Sequence, residues 1–538
     1  MKKKVIALVS VFAIVLSLAV GCSYAEKHSG NEPQTDDMVS QEVSAQQIIE
    51  QRKQNAKETG EYQTVVFAFY NWSGNLKGTE RIQERMNERL REELGLEIRI
   101  VVMDSMSYTQ NVRLMLSGGD KIDIFNSGAL GYTECVNDGY CMDMEEDGLL
   151  EAYGTDILAC ISEEYMQACR INNILFGIPQ MRDMAMAPGC YCIGKEYLDG
   201  IGFDYDSMYE NDEIRDVIYT DYATLENIFA GLHKAYPDKT VFAAGNNLID
   251  QGTIVDPVGG DYFGVLMDPV NSLEIENLYE SELFLEKCRM MYEWNQKGYI
   301  SVDNLYDDTA LPEKIKTGNY MAMMSQGKPG YISQISAECG KEMIVFQVEP
   351  DIMKSNAVTN ALWHIYQGSE DPIAAMQVLN LLYADEELSS LLIWGEENID
   401  YVKTEDGHIT FPEGINAENA QWYHTMNWMM PNQYISFIWE GNPIDLWEHI
   451  EAFNASSAKS KALGFTFDNS EYAAEYTALV NVYDEYVKPI MYGYVEPEAG
   501  IQEMNDELKK AGLEKYMQAK QKALDEWIAK NMQADSFE

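Results

Sequence analysis

Thr64-Val-Val-Phe-Ala-Phe69 begins the part of the chain from which the fold class can be predicted. A continuous apolar run of this length predicts a β-strand that is covered on both faces. The segment that follows predicts a helix capped by Thr79 and ended by Gly95. The apolar residues of this helix recur at every fourth position, which places them on one face. They are Ile82, Met86, Leu90 and Leu94.

The same alternation continues to residue 125. Glu97–Met103 predicts a second strand, Tyr108–Leu116 a second helix, and Ile122–Phe125 a third strand. Three strands joined by two helices within so short a stretch are typical of a parallel sheet with helical crossovers. The chain is therefore predicted to have an α/β fold.

Polar and aromatic residues follow two of these strands directly. The first strand is followed by Tyr70-Asn-Trp-Ser-Gly74, and the third by Asn126-Ser-Gly128. Ligands of open α/β sheets bind beyond the carboxyl ends of the strands. We therefore expect a small-molecule site at this edge, with aromatic rings and hydrogen-bonding side chains on its walls.

The N-terminus has the pattern of a signal peptide. Three lysines precede the apolar run Val5–Val20, which is too short for a comfortable membrane span. Cys22 follows small residues, as in a bacterial lipobox, and we expect it to be lipidated after removal of residues 1–21. The alternative is an ordinary secretory signal cleaved near Gly21 or Ala25, with Cys22 incidental.

Residues 22–60 are rich in Ser, Gln, Glu, Asp and Lys and poor in aromatic residues. Such a segment buries too little apolar surface to offset its ordering entropy, so a flexible tether is predicted, with a transient helix over Gln46–Lys57. No later segment has the run of about 18 apolar residues that a membrane span needs. The body is expected to be anchored to a membrane through lipid only.

The composition fits a large body outside the cytosol. Hydrophobic residues make up 46% of the 538 residues, and the formal net charge is −49. A field of this sign repels nucleic acid and anionic lipid head groups, which excludes both as partners. The acidity indicates either a strongly solvated surface or selection of a cationic ligand.

Eight cysteines follow Cys22, an even number that permits disulfides outside the cytosol. Cys135 with Cys141, and Cys160 with Cys169, are candidate local pairs, and buried free thiols are the alternative. No zinc-ligand spacing is present, so no metal or other cofactor is predicted. The loop 303–308 carries oxygen ligands for calcium but lacks the glycine and closing glutamate of an EF-hand.

Motifs of catalysis are absent from the sequence. It has no Gly-x-Ser-x-Gly elbow, no phosphate-binding loop and no His-Glu-x-x-His. His364 and His424 could each serve as a general base, but no nucleophile accompanies them, which favours structural roles. We predict that the protein is not an enzyme.

Several segments resemble one known family. The run Gly95-Leu-Glu-Ile-Arg-Ile-Val-Val102 followed by residues 116–125 is similar to the start of family 1 extracellular solute-binding proteins of ABC importers. Further matches follow in the same order along the chain. They are Leu175–Pro179, Lys316–Met324, Pro372–Tyr383 and Trp394–Val402.

The C-terminal part is similar to the DUF3502 extension of LplA-type lipoproteins, which is associated with uptake of oligosaccharides or glycosides. This resemblance lies in Leu463–Phe467, Gly493–Pro497, Ala511–Leu513 and Trp527. It implies a two-lobed, periplasmic-binding-protein-like α/β fold with a hinge and a mainly helical C-terminal extension across the lobes. The expected domains are lobe 1 (62–182 and 312–355), lobe 2 (183–311 and 356–450) and the C-terminal extension (451–538).

The resemblance implies capture of a small solute, most simply an oligosaccharide or glycoside, and its delivery to the transmembrane subunits of an ABC permease. We expect a lipid-anchored monomer on the extracellular face of the cell membrane. An extracellular glycoside hydrolase or lyase, or a surface sensor or adhesin, remains the alternative.

Sugar rings stack on aromatic side chains, and their hydroxyl groups need polar partners. The candidate ligand-binding residues are Tyr70, Trp72, Asn126, Ser127, Gln180, Asn246, Asn247 and Trp363. Further aromatic candidates are Trp394, Trp428 and Trp439.

Overall fold

A computed structural model describes most of the chain after residue 43. The described residues are 44–72, 74–119, 121–209, 217–245, 247–307 and 309–534. The predicted signal peptide, the lipidation site Cys22, most of the predicted tether and the candidate residue Asn246 lie outside these ranges.

The strands of the described residues are numbered in chain order. They are β1 Gln63–Asn71, β2 Gly74–Asn75, β3 Leu96–Asp104, β4 Ile124–Asn126, β5 Arg170–Ile171, β6 Ile174–Leu175, β7 Ala187–Gly194, β8 Ile218–Tyr219, β9 Thr240–Ala243, β10 Tyr320–Gly327, β11 Met343–Gln347, β12 Ile352–Met353, β13 Trp363–Ile365, β14 Val402–Lys403, β15 Ile409–Thr410, β16 Tyr423–His424 and β17 Ala458–Lys459.

The α-helices are numbered in the same way. They are α1 Ala45–Thr59, α2 Thr79–Glu93, α3 Ser105–Gly118, α4 Tyr132–Asn137, α5 Leu149–Tyr153, α6 Thr155–Cys160, α7 Glu163–Ala168, α8 Lys195–Ile201, α9 Tyr222–Ala235, α10 Glu282–Gln296, α11 Leu311–Lys316, α12 Tyr331–Cys339, α13 Pro372–Ala384, α14 Glu386–Trp394, α15 Leu446–Ser456, α16 Ala473–Met491, α17 Pro497–Ala511 and α18 Leu513–Ala534.

The first sheet has the strand order β13-β4-β1-β3. β1 runs parallel to both β3 and β4, with α2 and α3 as crossovers, which confirms the prediction from residues 64–125. Apolar side chains cover β1 on both faces, and the ring of Phe67 stacks on that of Trp363 with centroids 4.5 Å apart. The helix α2 begins at Thr79 with Gly78 in the cap position, so Thr79 is not the cap that the sequence predicted.

The second sheet has the order β8-β11-β7-β10-β9. β7 is antiparallel to its neighbours β10 and β11, whereas β9 is parallel to β10, and β8 to β11. Each sheet is surrounded by its own buried apolar side chains. The structure therefore has the two predicted lobes, each built around one sheet.

The predicted division of the chain between the lobes is corrected in its second half. Residues 312–355 were assigned to lobe 1, but β10 and β11 lie on either side of β7 in the second sheet. Residues 356–450 were assigned to lobe 2, but β13 pairs with β4 in the first sheet. Each segment pairs with strands far away in sequence, so the local pattern does not show which sheet it joins.

Three segments cross between the lobes side by side. Ile352 forms antiparallel backbone hydrogen bonds with Met186, at 2.9 Å in both directions. On its other side, β12 pairs in parallel with β17. The crossing that begins the C-terminal extension is thus part of the hinge.

The C-terminal extension packs mainly on the second lobe. Its helices α16 and α17 contact α10, and apolar residues of α16 to α18 join the core of that lobe. It also contacts the first lobe, where Lys530 Nζ donates to Asn172 Oδ1 at 2.8 Å and Asn137 Nδ2 donates to Asp468 Oδ2 at 2.7 Å.

The described end of the predicted tether is an ordered helix. The α1 helix buries Ala56 and places Arg52 Nη2 3.1 Å from Asp371 Oδ2. Gly95 has a φ of +66°, and a Cβ there would come within 2.9 Å of the Lys53 backbone nitrogen. Residues 45–59 of the segment predicted to be flexible are therefore helical, and the helix expected to be transient is packed on the first lobe.

All eight cysteines after Cys22 are free thiols in the structure, including the candidate pairs Cys135 with Cys141 and Cys160 with Cys169. Seven of them are buried, which agrees with the alternative of buried thiols. In the part of the chain that the structure describes, no helix combines the length and apolar character needed to cross a bilayer.

Two fully buried histidines predict a pH dependence of stability. Burial lowers the pKa of both His364 and His424 to about 4. The unfolded chain then binds more protons than the folded one between about pH 4 and the ordinary histidine pKa of about 6.5. The free energy of unfolding should be independent of these two groups above about pH 6.5 and should fall as the pH drops toward 4.

Urea denaturation between pH 4 and 7 checks this expectation. The His424→Gln variant should show a shallower pH dependence than wild type. Equal slopes for wild type and His424→Gln would contradict the assignment.

A buried ion pair predicts a second stability effect. Lys520 Nζ lies 3.0 Å from Asp261 Oδ1 and also donates to the carbonyl oxygens of Pro257 and Gly264. Because Asp261→Asn leaves a buried ammonium without its carboxylate, it should lower the free energy of unfolding by about 3–5 kcal/mol.

The exposed pair of Lys522 with Glu526, on the same helix, provides the control. Glu526→Gln should change the free energy of unfolding by less than about 1 kcal/mol in the same denaturation experiment. A loss of similar size in both variants would show that Asp261 does not fix the C-terminal helix.

Candidate functional site

Aromatic rings gather at the carboxyl end of β1. Tyr70 is buried, whereas Trp72 is 62% exposed, and their ring centroids are 5.9 Å apart. The ring of Trp428 lies 5.7 Å from that of Trp72. The guanidinium of Arg182 lies 5.3 Å from the centroid of Trp428. We call these four residues the aromatic cluster.

The backbone beside Tyr70 is shaped to admit its hydroxyl group. A Cβ at Gly128 would lie 2.3 Å from Tyr70 Oη, so a side chain larger than hydrogen is excluded there. Burial raises the pKa of Tyr70, and the positive charge of Arg182 partly opposes that shift. Tyr70 is therefore a neutral hydroxyl group beside a cation.

Two predicted polar residues already have backbone partners. Asn126 Nδ2 donates to the Ala361 carbonyl at 2.8 Å, and Asn126 Oδ1 accepts from the Gly128 N–H at 2.9 Å. Ser127 Oγ is 3.4 Å from the Leu362 carbonyl oxygen. Both residues are buried and tie β4 to the segment that precedes β13.

Trp363 is also placed in the core. It is fully buried, and its Nε1 donates to the Met429 carbonyl at 2.9 Å. Trp394 and Trp439, two of the further aromatic candidates, pack against each other with centroids 5.5 Å apart. Of the further candidates, Trp428 is the one that joins the aromatic cluster.

Buried polar atoms without hydrogen-bond partners lie in the chain segments that flank this cluster. Gln180 is fully buried, yet neither its Oε1 nor its Nε2 has a partner. The same holds for single atoms of several neighbours along the chain. They are Asn71 Oδ1, Arg182 Nε, Asp183 Oδ1, Asn427 Oδ1 and Gln433 Oε1. Buried polar atoms are nearly always satisfied, so these are groups that water or a polar ligand would pair.

Backbone pairing brings these segments together. Met181 N donates to the Pro431 carbonyl, and Gln433 N donates to the Met181 carbonyl, both at 2.9 Å. Lys328, just after β10 in the second lobe, forms an ion pair with Asp183 at 3.1 Å. The ion pair connects the second lobe to the segment that carries Gln180 and Arg182.

The second lobe contributes a cavity of about 550 Å³. It lies where β9 ends and beside the last residues of β10, and α16 of the C-terminal extension forms part of its wall. The predicted residue Asn247 lines it. Asn247 Nδ2 donates to Gln251 Oε1 at 2.6 Å and to the Met324 carbonyl at 2.9 Å, whereas its Oδ1 has no partner.

The described residues were also compared with the requirements of a metal site. Within the described ranges, no group of three or more His, Cys, Asp or Glu side chains could hold a metal ion. In the loop considered for calcium, Asp307 Oδ2 lies 3.4 Å from Lys314 Nζ, so a cationic side chain already faces that carboxylate.

The structure thus brings three of the candidate residues together, Tyr70, Trp72 and Trp428, and adds Arg182. No motif marks Arg182, although its position two residues after Gln180 could have drawn attention to it. The α16 side chains at the cavity were missed because no motif in Ala473–Met491 indicates that this segment lines a pocket.

Comparison with known proteins gives the C-terminal region a family. Residues 461–529 match the model of a domain of unknown function, DUF3502, which confirms that predicted resemblance. A curated protein of Streptococcus pneumoniae serotype 4, named carbohydrate ABC transporter substrate-binding protein, is 23% identical over 420 residues. The alignment covers 76% of this chain and 82% of that protein.

Solved structures match nearly the whole described body. The N-glycan transport solute-binding protein of S. pneumoniae is 23% identical and has a TM-score of 0.75, with 86% of this chain and 99% of that chain covered. Its complex with Man5GlcNAc matches over the same shares with a TM-score of 0.65. The chain therefore has the two-lobed fold of extracellular solute-binding proteins, and its residues 461–529 match the DUF3502 model.

Proposed function

We propose that the protein captures an oligosaccharide between its two lobes and delivers it to an ABC importer. The observation that carries this proposal is the aromatic cluster, flanked by segments with buried polar atoms that lack partners. The exposed face of Trp72 suits the apolar C–H face of a sugar ring. The unpartnered amides and Arg182 suit its hydroxyl groups.

The relatives support a saccharide as the ligand class. The curated relative is named for carbohydrate transport, and the structural relative was crystallised with Man5GlcNAc. These relatives are solute-binding proteins rather than enzymes, and we propose that this chain also binds its ligand without changing it. Neither the hydrolase nor the adhesin alternative has a specific observation in its favour.

Closure about the hinge would trap the ligand. Three crossing segments lie side by side at Met186, Ile352 and Ala458, so the lobes can rotate about a narrow connection. The ion pair of Lys328 with Asp183 would hold the two lobes together near the aromatic cluster. The closed form would then present both lobes to the permease.

The location follows from the same proposal. Solute-binding proteins of importers work at the outer face of the membrane, and a lipid on Cys22 would hold this one there. The transmembrane subunits of an ABC permease would be its protein partner. We propose that it acts as a monomer, because one chain supplies both lobes.

Replacing Trp72 by alanine should weaken saccharide binding by about tenfold or more, since exposed aromatic anchors carry much of the energy of such sites. Isothermal titration calorimetry with Man5GlcNAc and a panel of other neutral oligosaccharides measures the Kd. The matched control is Tyr219→Ala, because Tyr219 is also half exposed but lies on the edge strand β8. Its Kd should stay within about twofold of wild type.

If the Trp72→Ala variant binds the saccharide with the affinity of wild type, the ligand does not bind at the aromatic cluster. Mass spectrometry of the sugar after incubation separates binding from catalysis. A shortened product would contradict the proposal and make the protein an enzyme.

A further inference from the structure

The cavity of the second lobe is partly walled by the C-terminal extension. Its volume of about 550 Å³ falls within the range of roughly 300–1,000 Å³ that small-molecule sites occupy. Residues after β9 and late in β10 form one wall. Another part of the lining comes from one face of α16. The α16 residues are Tyr483, Asp484, Val487, Lys488 and Tyr492, the last just after the helix.

The α16 wall is held firmly in place. The ring of Tyr483 lies 6.1 Å from Phe263 and 6.4 Å from Tyr279, both buried in the second lobe. Val487 is buried in the same core. Because these contacts fix the helix, the cavity has a defined shape.

The cavity and the aromatic cluster lie at corresponding edges of the two sheets. The aromatic cluster is at the carboxyl end of β1, and the cavity is at the carboxyl ends of the parallel strands β9 and β10. Ligands of α/β sheets bind at such edges. In a two-lobed protein with one ligand between its lobes, both edges contribute to one site.

Tyr423 lies in the first lobe, close enough to the cavity to feel the charge of one of its lining residues. It pairs with Asn75, three residues after Trp72, and so belongs to the first lobe. Burial and, to a smaller degree, the carboxylate of Glu338 raise the pKa of Tyr423. Glu338 lines the cavity, so the cavity wall lies within electrostatic reach of the first lobe beside the aromatic cluster.

The chemistry of the lining favours an uncharged, hydroxyl-rich ligand. Tyr331 and Tyr483 supply rings, and Asn247 offers an unpartnered carbonyl oxygen. The carboxylates of Glu338 and Asp484 can accept hydrogen bonds from sugar hydroxyl groups and would repel an anionic sugar. Two ammonium groups also line the cavity: that of Lys314 is held by Asn304 and Asp307, and that of Lys488 lies 5.9 Å from the centroid of the Tyr492 ring.

We infer that this cavity is the second-lobe half of the saccharide site, and that the C-terminal extension contributes Asp484 and Tyr483 to recognition of a neutral sugar. The inference rests on the proposed function, since it extends the same ligand from the aromatic cluster to the extension. The extension would thereby have a role in specificity as well as in bracing the lobes.

Substitutions on α16 that remove one negative charge and keep the size of the side chain test the inference. Asp484→Asn should raise the Kd for Man5GlcNAc at least fivefold. Its neighbour Glu485 does not line the cavity, so Glu485→Gln removes the same charge from the same helix as a matched control and should leave the Kd within twofold. Asn247→Ala, in the part of the lining that follows β9, should weaken binding as Asp484→Asn does.

Tyr483→Ala is less suitable because Tyr483 also packs in the core, whereas Asp484 is exposed. One result would overturn this inference and leave the proposed function intact. In that case wild type binds the saccharide and Trp72→Ala weakens binding, but Asp484→Asn and Asn247→Ala leave the Kd unchanged. Failure of wild type to bind any saccharide would overturn both. Equal affinity for an oligogalacturonate would overturn the assignment to a neutral sugar.

Discussion

A buried ammonium group holds the C-terminal helix to the second lobe. Lys520 is completely buried and is satisfied by Asp261 and by the carbonyl oxygens of Pro257 and Gly264. A charge in this position is tolerated only because every partner is present. The same loop carries Asp256, whose carboxylate accepts from the backbone N–H and the hydroxyl group of Ser355, both at 2.8 Å. Helix α18 is thus connected through one loop to the hinge.

The position of the C-terminal extension beside the cavity depends on this connection. The Ser355 carbonyl in turn accepts from the Gly464 N–H at 2.7 Å, where the extension leaves the hinge. The extension therefore contacts both the hinge and the second lobe, and its helix α16 forms part of the cavity wall. A substitution that detaches α18 would lower the stability of the second lobe and would also change the shape of the cavity.

The sequence predicts those parts of the fold whose contacts are between residues close together in the chain. Residues 64–125 alternate strand and helix locally, so the parallel pairing of β1 with β3 and β4 was predictable. The assignment of β10, β11 and β13 was wrong because their partners are distant in sequence. A helix over Gln46–Lys57 was predicted, but its packing on the first lobe was not, because Arg52 meets Asp371 only in the folded chain.

The candidate site shows the same limit. Tyr70 and Trp72 were predicted because strand ends of α/β sheets carry ligands, and the structure puts them beside Trp428. Asn126 followed the same rule, but its amide is used by the backbone of a neighbouring segment. From a sequence alone, a polar side chain that forms hydrogen bonds with the backbone cannot be distinguished from one that is available to bind a ligand.

Hydrogen–deuterium exchange with and without Man5GlcNAc tests the central claim, that one saccharide bridges both lobes. Slower amide exchange on binding is expected in residues 70–72 and 427–433 of the first lobe together with residues 323–327 and 483–488 around the cavity. Protection confined to one lobe, or no protection at saturating sugar, would contradict that claim.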